Sequence, residues 1–502
     1  MIESALVLGG GSAGFLAAIT LAKKVPGLKV RVVRSPSIGV IGVGEGTTAA
    51  FPRHLFNYLG LDAADFYRTV QPTWKLGIRC IWGSGPDFFY PFAEEFARPI
   101  EGLTKKPGFY DAPEGTNWLG PTSALMAKGK VFARQPDGKP DLNTPHAFHI
   151  ENELLVGYLE KTARSLQVEI LDATVTSVET GPTRASGREE TGVAALVLDS
   201  GERLESDLYV DASGFRSTLL GEALGVGRVS YRDSLFCDRA VIGRWERTEE
   251  PTPAYTTAET MDHGWAWQIE HERWINRGYV FSSAFTSDDE AEAELRRKNP
   301  KLTGDTRVVG FDSYRLETMW SGNVVGIGNA SGFVEPLEAT ALQAICVQCS
   351  TLADVLADSS RGPTASLVSH YNRYNTTQWD DIRDFLSIHF RYNDRLETDF
   401  WKACRADVAL HGAQKMVDFY EENGPSTLLA GLLLAPSNSF GFQGYYSMLA
   451  GQRVPCRRRY NLPESQQRTW SQWVNQVGDW AAGGMDTAEV IGFFRGVGWW
   501  PG

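Results

Sequence analysis

Three glycines near the start of the chain have the spacing of a loop that binds a dinucleotide. They form a G-x-G-x-x-G pattern between a short apolar run, residues 5–8, and a stretch with apolar residues at helical spacing. Such glycines permit a tight turn, close approach of a pyrophosphate, and close packing of helix on strand. The pyrophosphate then lies at the N–H-rich end of the helix. The predicted cofactor contacts in this loop are Gly9, Gly11, Ser12, Ala13 and Gly14.

The elements that must position this loop are a strand, a helix and a second strand at residues 29–33. Dinucleotide folds usually place Asp or Glu at the end of the second strand, where it binds the ribose hydroxyls. This chain has Arg34 there instead. An arginine favours either a 2′-phosphate, and hence NADP, or stacking over an adenine, and both interpretations stay open.

A second glycine-rich segment, IGVIGVGEGTT at residues 38–48, predicts another approach of backbone to a flat or charged ligand. Its intervening residues are apolar, which argues against a mobile surface loop. The cofactor contacts expected from it are Gly42, Gly44, Glu45, Thr47 and Thr48.

Two further turns follow strands that are predicted to be buried. The stretch GIGNA at residues 326–330 resembles the closing flavin motif of hydroxylase-type flavoproteins, in which a turn and a helix N-terminus meet the flavin. Another strand ends at Asp211 in a D-x-S-G-F-R-S turn, where a cofactor contact competes with simple turn chemistry. The contacts implied after residue 326 are Gly328, Asn329, Gly332 and Leu337.

The segment GWAWQI at residues 264–269 has the alternation of a strand. Trp265, Trp267 and Ile269 fall on one face of it. A stripe of this kind is more often part of a core than the wall of a cofactor cavity.

Four motifs together resemble the flavin-dependent tryptophan halogenase family. They are GVGEGTT at residues 42–48, PTWKLG at 72–77, W-x-W-x-I at 265–269 and PLEAT at 336–340. The resemblance covers residues 1–375 well and fades beyond them. It implies that Lys75 stands between flavin and substrate. Without it, Lys75 is interpreted as a surface lysine with a buried stem.

The same resemblance assigns three further roles. Glu338 matches the catalytic glutamate, where the alternative is a carboxylate placed on a helix dipole. Thr340 and the Ala341 N–H match the halide site. Trp265 and Trp267 match a wall that keeps the substrate away from the flavin.

The chain departs from the family pattern at three positions. Ala339 and Ala341 replace Ser and Gly of the P-L-E-S-T-G motif, and Glu270 replaces the proline of W-x-W-x-I-P. An alanine still offers its amide, so the halide site is retained although its shape is altered.

The implied activity is a halogenase that uses FADH2, O2 and chloride or bromide. A separate NAD(P)H-dependent flavin reductase supplies the reduced flavin. Hypohalous acid, guided by Lys75 and Glu338, then halogenates an electron-rich aromatic compound, most simply indole or a substituted indole. Three alternatives are a halogenase specific for free tryptophan, an NAD(P)H-dependent flavin monooxygenase, which Arg34 would suit, and a non-catalytic flavin-binding protein.

Composition excludes several classes of partner. The 502 residues carry a formal charge of −12, which argues against nucleic acid and against an anionic membrane surface. The apolar run at residues 428–435 is too short to span a bilayer. The six cysteines show no disulfide framework, and Cys346 and Cys349 are expected to be buried core thiols. We therefore expect a cytoplasmic enzyme without a metal, and a homodimer is a further expectation.

The expected fold class is α/β. It combines a Rossmann-like FAD domain of the p-hydroxybenzoate-hydroxylase type with an inserted β-sheet and a helical C-terminal substrate lobe. The FAD domain is expected at residues 1–98, 145–220 and 305–370. Residues 99–144 and 221–304 form inserted loops and sheet on the substrate side, and residues 371–502 form the lobe.

Overall fold

The computed structural model describes residues 1–39, 44–96, 98–104, 115–427, 430–458 and 462–501. The strands are β1 (Ser4–Leu8), β2 (Lys29–Arg34), β3 (Glu45–Gly46), β4 (Thr73–Lys75), β5 (Gly77–Ile81), β6 (Phe88–Pro91), β7 (Ala147–Ile150), β8 (Glu169–Asp172), β9 (Val175–Thr183), β10 (Glu190–Leu198), β11 (Arg203–Leu204), β12 (Leu208–Asp211), β13 (Arg228–Ser230), β14 (Arg239–Glu246), β15 (Tyr255–Met261), β16 (Gly264–Glu270), β17 (Trp274–Phe281), β18 (Arg307–Gly310), β19 (Tyr314–Leu316), β20 (Trp320–Ser321), β21 (Val324–Gly326) and β22 (Gly332–Phe333). The helices are α1 (Ser12–Lys24), α2 (Ala50–Pro52), α3 (Ala63–Val70), α4 (Pro121–Ala127), α5 (Asn152–Ser165), α6 (Asp288–Lys298), α7 (Ala341–Asp358), α8 (Ala365–Arg391), α9 (Asp399–Asp407), α10 (Gln414–Asn423), α11 (Gly441–Gly451), α12 (Glu464–Ala482) and α13 (Thr487–Gly496).

A parallel sheet organises the N-terminal part of the fold. Its strand order is β20-β21-β12-β1-β2-β8, and β20 alone runs antiparallel to its neighbour. Helix α1 packs against α5 and α7. Because helices cover such a sheet, a central strand such as β1, with the run ALVL, is continuously apolar. The predicted strand–glycine loop–helix–strand unit is confirmed.

A seven-stranded sheet carries the tryptophan segment, in the order β18-β14-β17-β16-β15-β5-β6. On β16, Trp265, Trp267 and Ile269 face the main core, and Ala266 faces a separate small cluster around Tyr279. The expected same-face alternation is confirmed. Strands β5 and β6 belong to this sheet although they precede it by more than a hundred residues, because β5 pairs in parallel with β15.

A small sheet, β3-β7-β4, brings two distant motifs together. Strand β7 pairs on one side with Glu45–Gly46 and on the other with Thr73–Lys75. A separate antiparallel sheet has the strand order β11-β10-β9. The small sheet fixes the depth of Lys75 in the molecule.

The described residues after 364 are mainly helical, as expected. The 27-residue helix α8 packs against α7, α9 and α11. Its N-cap, Thr364, accepts a hydrogen bond from the Leu367 N–H. The domain boundaries given above stay a prediction.

The cysteines and the helices agree with two further expectations. Cys346 and Cys349 are free and buried on α7, as predicted for core thiols. Among the described helices, none combines the length and the hydropathy that a bilayer crossing requires.

Candidate active site

The glycine loop between β1 and α1 is closed on two sides and open on a third. Gly9 has φ +132°, and a Cβ there would strike the Ala212 carbonyl. A Cβ on Gly14 would strike the Gly9 carbonyl. A Cβ on Gly11 would meet no atom within 4 Å, and the first turn of α1 carries no acidic side chain. This open face of backbone N–H groups suits a pyrophosphate.

The turn that contains Gly328 and Asn329 lies against the start of α1. Gly328 has φ +64°, and its N–H donates to Gln348 Oε1 of α7 at 2.8 Å. A Cβ on Gly328 would lie 3.1 Å from the Ala13 methyl, next to Ser12. The fold therefore brings two of the predicted cofactor motifs together.

Two other residues predicted near this turn face protein. A Cβ on Gly332 would lie 2.9 Å from the Trp379 ring, and the Leu337 side chain is buried. A role in cofactor binding stays a prediction for both.

Arg34 is engaged by two carboxylates. Its guanidinium donates to Glu160 Oε2 at 2.5 Å and to Asp172 Oδ1 at 2.6 Å. Its side chain also packs against Gly10 and lies 6.0 Å from the centroid of the Phe15 ring. Because two acidic partners already offset its charge, the structure lends no support to a 2′-phosphate site.

The carboxylate of Asp211 accepts hydrogen bonds from the turn that follows it. Oδ2 accepts the N–H groups of Leu219 and Leu220 at 2.7 and 3.0 Å. Oδ1 accepts the Ser213 hydroxyl at 2.6 Å and the Ser213 N–H at 3.1 Å. Only the backbone of this turn is left to approach a cofactor, and that contact stays a prediction.

In the glycine-rich segment at residues 38–48, the described residues are 38–39 and 44–48, so Gly42 lies outside them. The Thr47 N–H donates to the Phe148 carbonyl at 2.8 Å, and its hydroxyl accepts the Phe148 N–H at 2.9 Å. The Thr48 hydroxyl donates to Gln343 Oε1 of α7 at 2.6 Å. These bonds tie the segment to β7 and α7.

Two further residues of this segment, Glu45 and Gly44, are packed closely against other parts of the protein. Burial raises the pKa of Glu45 to about 7, although a hydrogen bond to Asn152 lowers it in part. A Cβ on Gly44, which has φ +69°, would collide with Asn276 and come within 2.9 Å of His271 Nε2. Glycine is therefore required at position 44 by packing as well as by its backbone angle.

Lys75 ends β4 and is completely buried. Its Nζ lies 5.2 Å from the centroid of the Phe92 ring, and no described residue accepts a hydrogen bond from it. Burial lowers the pKa of the amine to about 8, and the negative charge of Glu338 opposes part of that shift. The amine is buried with a pKa well below that of a solvent-exposed lysine, and the surface-lysine interpretation is wrong.

Glu338 ends a 3₁₀ turn directly before α7 and is 2% exposed. Its Oε1 lies 3.1 Å from His389 Nε2, an ion-pair distance, although the angle falls short of a hydrogen bond. Glu338 acts electrostatically on Lys75 and on Tyr90. The structure therefore places the predicted ammonium and carboxylate in one buried site.

The positions predicted to hold the halide begin helix α7. Thr340 is the N-cap of this helix, and its side chain makes no capping hydrogen bond. No acidic side chain occupies the first turn, which begins with Ala341. Ala339 has φ +55°, a left-handed conformation that is uncommon for alanine. The helix start is therefore suited to an anion, and the halide assignment stays a prediction.

One of the two tryptophans of β16 is hydrogen-bonded to a buried acid. Trp265 Nε1 donates to Glu335 Oε2 at 2.6 Å, and the rings of Trp265 and Trp267 lie 6.0 Å apart. Burial raises the pKa of Glu335 to about 8. The neutral carboxylic acid is thus the main form at pH 7, inside an aromatic wall.

Glu270, the residue in place of the family proline, belongs to a buried ion pair. Arg247 donates to its Oε2 at 2.5 Å, and Gln268 donates to Oε1 at 2.6 Å. The Thr73 hydroxyl donates to the Glu270 carbonyl. This bond joins β4, which carries Lys75, to the tryptophan strand.

The residues that line the centre converge from separate parts of the chain. A Cβ on Gly46 would lie 3.3 Å from Lys75 Nζ and 3.4 Å from both Ala339 Cβ and Thr256 Oγ1. Thr256 Oγ1 is 2.8 Å from Nε2 of the buried His149. Sequence reasoning assigned no role to four of these neighbours: His149, Thr256, Glu335 and His389.

These features fit a bound flavin dinucleotide. The open face at Gly11 leaves room for it beside backbone N–H groups, and the turn at Gly328 adjoins that face. Among the described residues, no group of three or more His, Cys, Asp or Glu side chains could hold a metal ion.

Comparison with known proteins identifies the family. The tryptophan halogenase model matches residues 4–467. The tryptophan 7-halogenase KtzQ of Kutzneria sp. (strain 744) is 31% identical over 463 residues, which are 85% of this chain and 83% of KtzQ. The crystal structure of MibH, a lanthipeptide tryptophan 5-halogenase, is 35% identical with a TM-score of 0.88, covering 98% of this chain and 94% of MibH.

A second solved structure has the same fold over almost its whole length. BrvH, a flavin-dependent halogenase from Brevundimonas sp. BAL3, is 28% identical with a TM-score of 0.85, covering 98% of this chain and 99% of BrvH. The chain therefore belongs to the tryptophan halogenase family and is a flavin-dependent halogenase that uses reduced FAD and a halide.

Proposed function

We propose that this halogenase acts on a neutral indole-type ring, with Lys75 and Glu338 as its catalytic residues. The observation that carries the proposal is one dry site that holds a buried amine and a buried carboxylate among aromatic side chains. Reduced flavin, O2 and halide together supply hypohalous acid. A separate NAD(P)H-dependent flavin reductase provides the reduced flavin, and the expected homodimer stays a prediction.

Lys75 is suited to activate the oxidant. As an ammonium without a hydrogen-bond partner among the described residues, Nζ donates to the oxygen of hypohalous acid and aims the halogen at the ring. The hydroxide that leaves takes this proton and becomes water. Because the site is buried, the interaction is stronger than it would be in water.

Glu338 is suited to complete the substitution. Attack of the ring on the halogen leaves a cationic ring that still carries its proton. The Glu338 carboxylate accepts that proton, and the C–H electron pair restores the aromatic system. Lys75 loses one proton and Glu338 gains one, so the site is reset when a proton passes back from the acid to the amine.

The binding cavity for the ring is proposed on the substrate side of Lys75. The contacts described for Lys75 and Glu338 are with Phe92 and His389, and Tyr90 lies within electrostatic reach of Glu338. This surrounding suits a flat uncharged ring. It supplies no described cation besides Lys75 for a free carboxylate.

The direct test combines the purified protein, FAD, a flavin reductase, NADH, bromide and indole. We expect a monobrominated product with the 1:1 bromine isotope pattern in the mass spectrum. A product that gains only oxygen indicates a monooxygenase, and flavin binding without any product indicates a non-catalytic protein. Glu338→Gln is the matched variant, because it keeps the shape of the side chain and removes the base.

A tryptophan side chain within a peptide is a second candidate substrate. It shares the neutral indole ring and lacks a free ammonium and carboxylate next to the ring. The similarity to MibH, a lanthipeptide tryptophan 5-halogenase, favours it. N-acetyl-tryptophan amide is the appropriate probe, because it has the peptide-like neutral backbone.

A further inference from the structure

A side chain at ion-pair distance from Glu338 comes from a different part of the chain. His389 lies near the end of α8, and Glu338 precedes α7. His389 Nε2 and Glu338 Oε1 are 3.1 Å apart, and the two residues are 1% and 2% exposed. The long helix of the C-terminal region thereby reaches the predicted base directly.

The imidazole ring has little freedom to move. Trp82 and Phe385 meet it edge to face, with ring centroids 5.9 and 5.2 Å away and interplanar angles of 87°. The Trp82 indole N–H donates to the His389 carbonyl at 2.7 Å, which also fixes the backbone. Neither ring nitrogen hydrogen-bonds to a described residue. The ring is therefore held by packing, with Nε2 directed at the carboxylate.

A buried carboxylate stays ionised only if a nearby donor stabilises its charge. Removing water from a carboxylate favours its neutral form, and a cation or N–H donor within a few ångströms reverses this effect. Catalytic hydrogen bonds are often poorly aligned before the substrate binds and tighten afterwards. A small rotation of the Glu338 carboxylate would align Oε1 with Nε2–H.

We propose that His389 is the positioning residue for Glu338, which it holds in the ionised, proton-accepting state and orients towards the ring. This role rests on the proposed function of Glu338 as the base. The alternative is an ion pair that serves stability alone. Buried ion pairs are weak evidence for stability because desolvation offsets their attraction.

The groups that surround the pair allow a test by pH. Burial raises the pKa of Cys80 on β5, Tyr90 on β6 and Tyr445 on α11, so these three stay neutral at pH 5–9. The pKa of Lys75, on β4, is about 8. Variants at His389 therefore test whether an acidic limb in the rate profile below pH 7 depends on this pair.

The experiment compares His389→Gln and His389→Phe with His370→Gln, which changes an exposed histidine on the same helix. We expect both His389 variants to lower the bromination rate at pH 7 at least about tenfold and to shift the acidic limb upward by about one pH unit or more. Flavin reoxidation and the control should be unchanged. An unshifted limb in both variants would overturn the proposal.

A second measurement separates this proposal from the proposed function. Infrared difference spectra between pH 5 and pH 8 report the carboxylic C=O band of Glu338, which is assigned by its loss in Glu338→Gln. We expect the band to persist to higher pH in His389→Gln than in the wild type. If the band shifts but the wild type halogenates nothing, the positioning role stands and the proposed function fails. Halogenation without any shift of the band contradicts the positioning role.

Discussion

Lys75 has an amine that the fold has removed entirely from water. We expect Lys75→Ala and Lys75→Met to abolish halogenation, because the oxidant is then no longer activated or aimed. Reoxidation of reduced flavin by O2 should stay intact, since Lys75 is proposed to act after that step. The measurements are product formation and oxygen consumption in parallel, with the exposed Lys139→Ala as the control. Loss of oxygen consumption would place Lys75 in the flavin site instead.

The pH dependence of Lys75 distinguishes its two chemical forms. Burial lowers the pKa of its amine to about 8, so the ammonium is the main form below that pH. If the ammonium donates to hypohalous acid, the halogenation rate declines above about pH 8. The rate of substrate turnover should be measured with flavin supply in excess. A rate that rises through pH 8 would indicate a haloamine formed on the neutral amine.

Glu335 offers a prediction about stability. Burial raises the pKa of its carboxyl from 4.5 to about 8, so between these values the folded protein binds a proton that the unfolded chain has lost. The free energy of unfolding therefore falls as pH rises from 4.5 to 8, by up to about 1.4 kcal/mol per pH unit. Glu335→Gln should remove this loss and keep an acceptor for the Trp265 N–H.

Thermal unfolding at pH 5 and at pH 8 measures the effect. Relative to the wild type, Glu335→Gln should gain more in Tm at pH 8 than at pH 5. The exposed Glu249→Gln is the control and should show no such difference. An equal change at both pH values would show that Glu335 is ionised in the fold.

At the scale of elements, the glycine loop contains two glycines required for folding and a third, Gly11, that is expected to matter only for binding. Gly9 and Gly14 are required by close packing, whereas a side chain on Gly11 would meet no protein atom within 4 Å. We expect Gly11→Val to fold normally and to weaken FAD binding at least about 100-fold, or about 2.7 kcal/mol. Titration of FAD followed by fluorescence tests this, with Gly304→Val, another open position, as the control. Unchanged affinity would overturn the assignment of the loop.

The sequence predicts elements whose signal is local. The glycine loop, the face of the Trp265 strand and the buried thiols of α7 follow from spacing within a few residues. The partners of Arg34, Glu335 and Glu338 do not, because each lies on an element far along the chain. The packing of α8 on α7 brings His389 to Glu338, and β16 brings Trp265 to Glu335. The pairing of β2 with β8 brings Asp172 to Arg34. Family resemblance predicted an internal position for Lys75, whereas composition did not.

At the scale of the whole molecule, the centre is assembled by sheets that cross-connect distant segments. Strand β7 joins the Glu45 and Lys75 strands, and the Thr73 hydroxyl ties them to the tryptophan strand. Helix α8 adds His389 from the C-terminal region. Each catalytic group thus depends on a contact between regions. A substitution in one region is therefore expected to displace a catalytic group carried by another.

Substrate preference depends on residues from distant parts of the chain. The described neighbours of Lys75 and Glu338 are aromatic rings, a histidine and small residues. Stacking contributes about 0.5–1.5 kcal/mol per aromatic pair beyond burial of area. A site built for a charged ligand discriminates much more sharply. We therefore expect weak dependence on what the indole ring carries, provided that the substituent is neutral.

Competition at equal concentration tests this preference, with indole, free tryptophan and N-acetyl-tryptophan amide in one reaction. We expect indole and the neutral amide to be halogenated faster than free tryptophan, because the described contacts of Lys75 and Glu338 include no further pair of charges to compensate for desolvating its ammonium and carboxylate. On indole the halogen should enter the electron-rich pyrrole carbon, since a loosely held ring lets its own electronics decide the position. A product ratio in which the amide exceeds indole would favour the peptide substrate. Predominant halogenation of free tryptophan on its benzo ring would contradict the prediction, because that outcome requires a fixed grip on the amino-acid backbone.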